Sequence, residues 1–214
     1  MNRYKTVYQE AEAEQVIEKS KFISHVKPVE TREEAEAYIA EVRSRHKEAA
    51  HNVPAMAIGD KFQIQWASDD GEPQGTAGAP ILRMLTGEGI TNVAAVVTRY
   101  FGGVKLGTGG LVRAYTSSAK LGLAVAGVCN VKDLSVLTLK LDYTYLSKIQ
   151  NISSGEEFEI RDIIYEDKVT LKIAAEPEKM DRVRLLISDI SAGTCAIVSE
   201  AFELMKILNN GNFK

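Results

Sequence analysis

Hydrophobic positions along the chain follow two spacings, and the change from one to the other predicts an α+β protein. Alternating or continuous apolar runs predict strands, whereas apolar positions three and four residues apart predict helices. A capping-box signature, Thr31 followed by Glu34, marks the start of the first helix. The predicted strands are residues 4–8, 14–29, 53–58, 62–67, 93–97, 131–143, 158–165, 169–174 and 195–207, and the predicted helices begin near residues 31, 80, 111, 144 and 177.

The pattern changes character near residue 130. From residue 131 onward the order is βαββαβ, which is the order of a ferredoxin-like domain. We therefore expect two domains, an N-terminal α+β domain of residues 1–130 and a ferredoxin-like domain of residues 131–214.

The residues between the apolar run 93–97 and the helical pattern that starts at Leu111 are rich in glycine. A glycine loop between a strand and a helix favours anion binding, because glycine lets backbone N–H groups turn toward a ligand and a helix start adds unpaired donors. The candidate phosphate- or RNA-binding residues are Arg99, Gly102, Gly103, Lys105, Gly107, Thr108, Gly109, Gly110 and Arg113. We also expect positive φ among Gly102, Gly109 and Gly110. The alternative is that the glycines only permit tight packing of the strand against the helix.

Charge supports the anion-binding interpretation. The segment from Gly89 to Lys132 contains no Asp or Glu, although the chain has a formal net charge of −3. The loop is neither of the common nucleotide-binding motifs: Val112 replaces the third glycine of the dinucleotide fingerprint, and Thr108 replaces the P-loop lysine.

Three acids, Asp69, Asp70 and Glu72, form a candidate acidic partner cluster. They could hold a magnesium ion, but acids in a loop before a helix are also ordinary turn and cap residues. A further alternative is that they pair with Arg99 or Arg113 and hold the loop in shape. The segment HKEAAH, residues 46–51, lacks the histidine spacing of a zinc protease. We expect no metal and no cofactor.

Composition favours a cytoplasmic protein. The two cysteines, Cys129 and Cys195, show neither a disulfide framework nor a zinc-ligand spacing. The polar N-terminus does not resemble a signal peptide, and no apolar window is long enough to span a membrane. The oligomeric state is left open.

Two long motifs resemble the IMPACT family, specifically its bacterial YigZ-type members. The first is SDDGEPQGTAG, residues 68–78, and the second is RYFGGVKLGTGGLVRAY, residues 99–115. The resemblance implies an N-terminal domain similar to domain IV of elongation factor G, a fold like domain 2 of a small-subunit ribosomal protein. It also implies a C-terminal domain similar to the ferredoxin-like domain V of that factor. It implies no established reaction, and eukaryotic relatives regulate translation under amino-acid stress partly through a further domain that is absent here.

We therefore expect a cytoplasmic protein that associates with RNA or the ribosome, contacts phosphates through the loop of residues 99–113, and acts as a translation or stress regulator. It could also have a protein partner in translation. One alternative is an enzyme that acts on a small phosphorylated or anionic substrate, although the sequence favours a protein that is not an enzyme. Another is a protein-binding regulator without an anion site. An enzyme should enclose the loop in a deep pocket, whereas an RNA binder should leave it open beside exposed aromatics such as Tyr100 or Phe101.

Overall fold

The protein is represented by a computed structural model, which describes residues 2–153 and 158–208. It confirms the α+β class. The strands are β1 (Asn2–Val7), β2 (Ala11–Ile17), β3 (Ser20–Pro28), β4 (His51–Ile58), β5 (Ile64–Ala67), β6 (Val93–Tyr100), β7 (Val128–Leu141), β8 (Glu159–Tyr165), β9 (Val169–Ala175) and β10 (Ala196–Leu208). The helices are α1 (Arg32–Arg45), α2 (Gly78–Gly87), α3 (Gly107–Ala126), α4 (Tyr143–Ser153) and α5 (Pro177–Ile190).

The contacts between residues divide the chain into two compact units, with Arg3–Asn130 in one and Val131–Lys206 in the other. The last six residues of the predicted C-terminal domain, 209–214, lie outside the described residues. Whether each unit folds by itself stays a prediction.

The N-terminal unit is built on an antiparallel sheet in the order β2-β3-β6-β4-β5. Helix α1 packs on one face, while α2 and α3 cover the other. The central strand β6 serves both faces because successive side chains of a strand point to opposite sides. Val93, Ala95 and Val97 belong to the core under α2 and α3, whereas Ala94 and Val96 belong to the core under α1.

The predicted helix start is confirmed, since the Glu34 N–H donates to the Thr31 hydroxyl at 3.2 Å, and the Glu34 carboxylate accepts from the Glu30 N–H at 2.8 Å. Two predicted boundaries are wrong. The strand predicted over residues 14–29 is the hairpin of β2 and β3, whose turn residues Glu18 and Lys19 have φ of 45° and 64°. Left-handed turns normally carry Gly or Asn, so this sequence gives no turn signal here. Helix α3 begins at Gly107 instead of Leu111, because the glycines of residues 107–110 form its first turn.

In the C-terminal unit β7 and β8 both pair with β9 in antiparallel fashion, and β10 pairs with β7. Among the strands from β7 onward, the order along the sheet is β10-β7-β9-β8, the arrangement of a ferredoxin-like domain. Residues Leu137, Leu139 and Leu141 of β7 are buried in one core with Ile149 of α4 and Val183 of α5. This unit thus has a hydrophobic core of its own.

Candidate functional site

The connection between β6 and α3, residues 101–106, is held against the β2–β3 turn; we call it the glycine loop. The Gly102 N–H donates to the Ser20 hydroxyl at 3.1 Å. A Cβ at Gly102 would lie 2.0 Å from the carbonyl carbon and oxygen of Lys19. Glycine is needed here because only its bare backbone fits against the turn.

The expectation of positive φ at Gly102, Gly109 or Gly110 is wrong. The glycines of this region with positive φ are Gly103, at 87°, and Gly107, at 68°. Gly102, Gly109 and Gly110 are not among the positive-φ residues. Gly109 and Gly110 lie in α3 after Gly107, and Gly102 is needed because a Cβ there would overlap Lys19.

Arg99 is buried beneath the loop, with 4% of its surface exposed. Its Nη1 lies 2.6 Å from Glu72 Oε1, and its Nη2 donates to the Ser20 hydroxyl at 3.3 Å. This placement departs from the interpretation of Arg99 as a phosphate contact and matches the alternative that an acid pairs with it. The reason is strand alternation: Arg99 follows Val97 on the face of β6 that points under α2 and α3.

Glu72 is the centre of this buried cluster. Its Oε1 also accepts a hydrogen bond from the Tyr115 hydroxyl at 2.8 Å, and the His51 Nε2 lies 3.7 Å away. Burial raises the pKa of Tyr115 far above its ordinary value, and the Glu72 carboxylate adds to the effect. Tyr115 therefore keeps its proton and acts as a donor. Glu72 joins its own loop to β6 and to α3.

Aromatic rings lie beside the same guanidinium. The Arg99 Cζ is 5.4 Å from the ring centroid of Phe22, its cross-strand neighbour on β3, and 5.3 Å from that of Phe101. Phe22 in turn meets Tyr115 edge to face at 5.4 Å. Phe22 is fully buried, whereas 53% of Phe101 is exposed. Tyr100 points to the opposite face, where its hydroxyl lies 2.9 Å from His46 Nδ1.

The other two acids serve the loop that precedes α2. Asp69 accepts hydrogen bonds from the N–H groups of Gly75, Ala77 and Gly78 at 2.7, 3.0 and 2.9 Å. Burial alone would raise the pKa of Asp69, but these N–H donors together hold it below its ordinary value. Asp70 accepts from Arg43 Nη2 at 2.9 Å and from the Asn52 N–H at 2.6 Å.

The three neighbouring acids thus point into three different environments. Asp69 caps backbone donors, Asp70 faces α1 and β4, and Glu72 enters the core. Within the described residues no group of three or more His, Cys, Asp or Glu side chains is arranged to hold a metal ion. The chemistry of these carboxylates is that of structural anchors.

Two predicted cations do lie on the surface. Lys105 and Arg113 are exposed and line a groove of about 540 Å³, which also contacts Glu18 and Ser117. We call it the basic groove. No acid of the described part of the chain forms an ion pair with either cation.

The start of α3 lies at the same groove, since Gly110 is one of its lining residues. Among residues 2–153 and 158–208, no side chain caps this helix end, and its first turn contains no acid. Gly107, Thr108 and Gly109 are exposed, so their N–H groups lie at an open helix start. The free N–H groups and the helix dipole favour an anion at this end.

Sequence reasoning missed Lys19, an exposed cation whose backbone touches Gly102. It also missed the anchors Ser20 and Tyr115. The alternation of β6 would have placed Arg99 inside, but the left-handed turn that brings Lys19 to the loop has no sequence signal.

Fold and site together define an α+β protein of two compact units, the first of which presents a basic groove and contains a buried Glu–Arg–Tyr cluster. The Impact N-terminal domain matches residues 18–123, and a domain of unknown function (DUF1949) matches residues 139–194. The chain belongs to the IMPACT family.

Relatives are similar over most of their length. IMPACT family member YvyE of Bacillus subtilis is 40% identical, over 90% of this chain and 89% of that protein. IMPACT family member YigZ of Escherichia coli is 35% identical, over 86% of this chain and 91% of that protein. A crystal structure described as a hypothetical protein is 32% identical, covers 93% of this chain and 98% of its own, and superposes with a TM-score of 0.58.

Across the described residues, none of the helices combines the length and the hydropathy needed to cross a membrane.

Proposed function

We propose that the chain binds RNA, free or within the ribosome, through the basic groove. The observation that carries this proposal is the pair of exposed cations, Lys105 and Arg113, which have no acidic partner among the described residues and lie beside the open start of α3. Cations and free backbone N–H groups that converge on one surface suit the phosphates of a nucleic-acid backbone. Lys19 adds a third exposed cation next to the loop.

Arg99 has a supporting role in this proposal. Its Nη1 and Nη2 pair with Glu72 and Ser20, and the side chain is buried, so it is not accessible to a phosphate at the surface. Arg99 fixes the base of the glycine loop, while Lys105 and Arg113 contact the phosphates of the RNA.

The position of the acids favours binding over catalysis. Asp69 and Asp70 accept hydrogen bonds from several groups, and Glu72 is buried against Arg99 and Tyr115. An acid–base pair needs a free carboxylate that faces the substrate. Glu18 is the one carboxylate among the groove-lining residues that the structure describes, and a single carboxylate does not form an acid–base pair, so the enzyme alternative has less support.

We further propose a cytoplasmic setting and a role in translation or its regulation under stress. Cys129 and Cys195 are not joined by a disulfide in the structure, which suits a reducing compartment. A regulatory role would follow from binding to ribosomal RNA or to a protein partner in translation.

The test is a salt titration of RNA binding by the wild type and by the double variant Lys105→Gln, Arg113→Gln. Each lost phosphate contact should reduce the slope of log affinity against log salt by about 0.7 for a single strand, so two contacts give about 1.4. The matched control is Lys61→Gln, Arg83→Gln, which removes the same charge from exposed positions outside the groove. Equal slopes for the wild type and the groove variant would remove the phosphate role, and the protein-binding alternative would then lead.

A further inference from the structure

Phe101 is an exposed aromatic side chain on a backbone that the structure holds firmly. It lies directly between β6 and Gly102, and Gly102 is packed against the Lys19 carbonyl group. Its ring lies beside the Arg99 guanidinium, which Glu72 holds at 2.6 Å. Gly102 and Arg99 therefore fix the position of the Phe101 ring on its buried side, although about half of the residue faces solvent.

The layers beneath the ring explain its orientation. Phe22 and Phe101 both contact the Arg99 guanidinium, and Tyr115 packs edge to face on Phe22. A cation over an aromatic ring is attracted to the ring's negative face, most strongly where water is excluded. Phe101 is the outermost layer of this stack, and Gly103 beside it leaves open space where any other residue would place a Cβ.

We propose that Phe101 stacks on an unpaired base and that the RNA bound by the basic groove is single-stranded. The inference rests on the proposed function, in which Lys105 contacts phosphates in the groove; Phe101 and Lys105 belong to the same connection between β6 and α3. A base in a duplex is covered on both faces by its neighbours, whereas a base in a single strand can leave the stack and lie on an aromatic ring.

The test compares one fluorescent RNA of mixed, unstructured sequence with the same strand annealed to its complement. Phe101→Ala should weaken binding of the single strand by roughly 5- to 150-fold, the range for loss of one stacked base. Binding of the duplex should not change. The salt slope of Phe101→Ala should equal that of the wild type, because no charge is lost.

Two further variants separate the ring from its bulk. Phe101→Leu keeps an apolar side chain without a ring and should lose affinity as Phe101→Ala does, whereas Phe101→Tyr keeps the ring and should bind as the wild type. Fluorescence of a 2-aminopurine base within the strand gives a direct readout, since stacking quenches it. The quenching should persist with Phe101→Tyr and disappear with Phe101→Leu.

The outcomes distinguish the two proposals. The stacking inference would be overturned if single strand and duplex bound equally well and Phe101→Ala changed neither affinity. If the Lys105→Gln, Arg113→Gln variant then still showed a reduced salt slope, the phosphate contacts would remain supported. Failure of both RNA forms to bind the wild type would overturn the proposed function and the inference with it.

Discussion

Glu72 carries a negative charge into a site where 8% of the residue is exposed, and its partners determine whether that charge is tolerated. Arg99 supplies the opposite charge and Tyr115 a proton donor on the same oxygen. Removal of one partner of a buried pair is costly because the other charge stays buried. Loss of a charge from this cluster should therefore destabilise the protein more than loss of a charge from the exposed cations.

Arg99→Gln should lower the free energy of unfolding by about 3 kcal/mol or more, since it leaves the Glu72 carboxylate without its counter-ion. The matched control is Arg113→Gln, an exposed arginine whose loss should change stability by no more than about 0.5 kcal/mol. Urea denaturation followed by circular dichroism measures both. Similar midpoints for the two variants would contradict the structural role of Arg99.

His25 should make the protein sensitive to acid. Burial lowers the pKa of His25 from 6.5 to about 4, opposed by Glu12 and assisted by His46 and Arg45. Between these pH values the unfolded chain binds the proton more readily than the folded protein does. The free energy of unfolding is therefore highest above pH 6.5, where His25 is neutral in both states, and it decreases as the pH falls toward 4.

Relative to His25→Gln, which cannot titrate, the wild type should lose about 3 kcal/mol of unfolding free energy across that window. Urea denaturation at a series of pH values measures the difference. A constant difference between the two proteins would show that His25 has no depressed pKa in the folded state.

The glycine loop and the start of α3 use their glycines for different purposes. Gly102 admits the Lys19 carbonyl group, and an added Cβ there would overlap it. Gly109 lies in the first turn of a helix, where an added Cβ would have Arg113 Nη1 as its nearest neighbour, at 3.6 Å. The same substitution should therefore have opposite effects at these two sites.

Gly102→Ala should destabilise the protein by about 1 to 3 kcal/mol, because the added methyl group overlaps backbone atoms of the β2–β3 turn. Gly109→Ala should be neutral or stabilising by up to about 1 kcal/mol, because alanine is a better helix former and restricts the unfolded chain. Thermal melts of both variants provide the comparison. Equal losses at both positions would mean that the loop does not lie against the turn.

The elements themselves were largely predictable from the sequence. The capping box of Thr31 and Glu34 located α1 because capping is a local interaction. The β2–β3 turn was missed because Glu18 and Lys19 adopt positive φ without a residue type that favours it. The burial of Arg99 could have been predicted by extending the alternation of β6 to the end of the strand. The positive charge of Arg99 suggested an exposed side chain instead. The candidate site was thus predictable as a region, whereas the division between surface and buried residues required tertiary contacts.

Taken as a whole, the chain consists of two units with separate cores. The C-terminal unit packs α4 and α5 on one face of its sheet, and its core residues come from β7–β9, these two helices and Phe158. A unit that closes its own core needs no help from the other to bury its apolar surface.

Residues 131–214 should therefore unfold in a cooperative thermal transition when expressed alone. The control is the intact chain, measured by circular dichroism in the same buffer. A fragment that melts without a cooperative transition, while the intact chain shows one, would contradict the boundary at residue 130.

The Glu72 cluster also bears on the order of folding. Its carboxylate is separated along the chain from Arg99 by 27 positions and from Tyr115 by 43. A contact between distant positions offsets the entropy lost on loop closure only when both segments have already reached their folded positions. We expect these contacts to form after the folding barrier has been crossed. Loss of these contacts should then raise the unfolding rate while the refolding rate changes little. The cluster therefore contributes to the lifetime of the folded state.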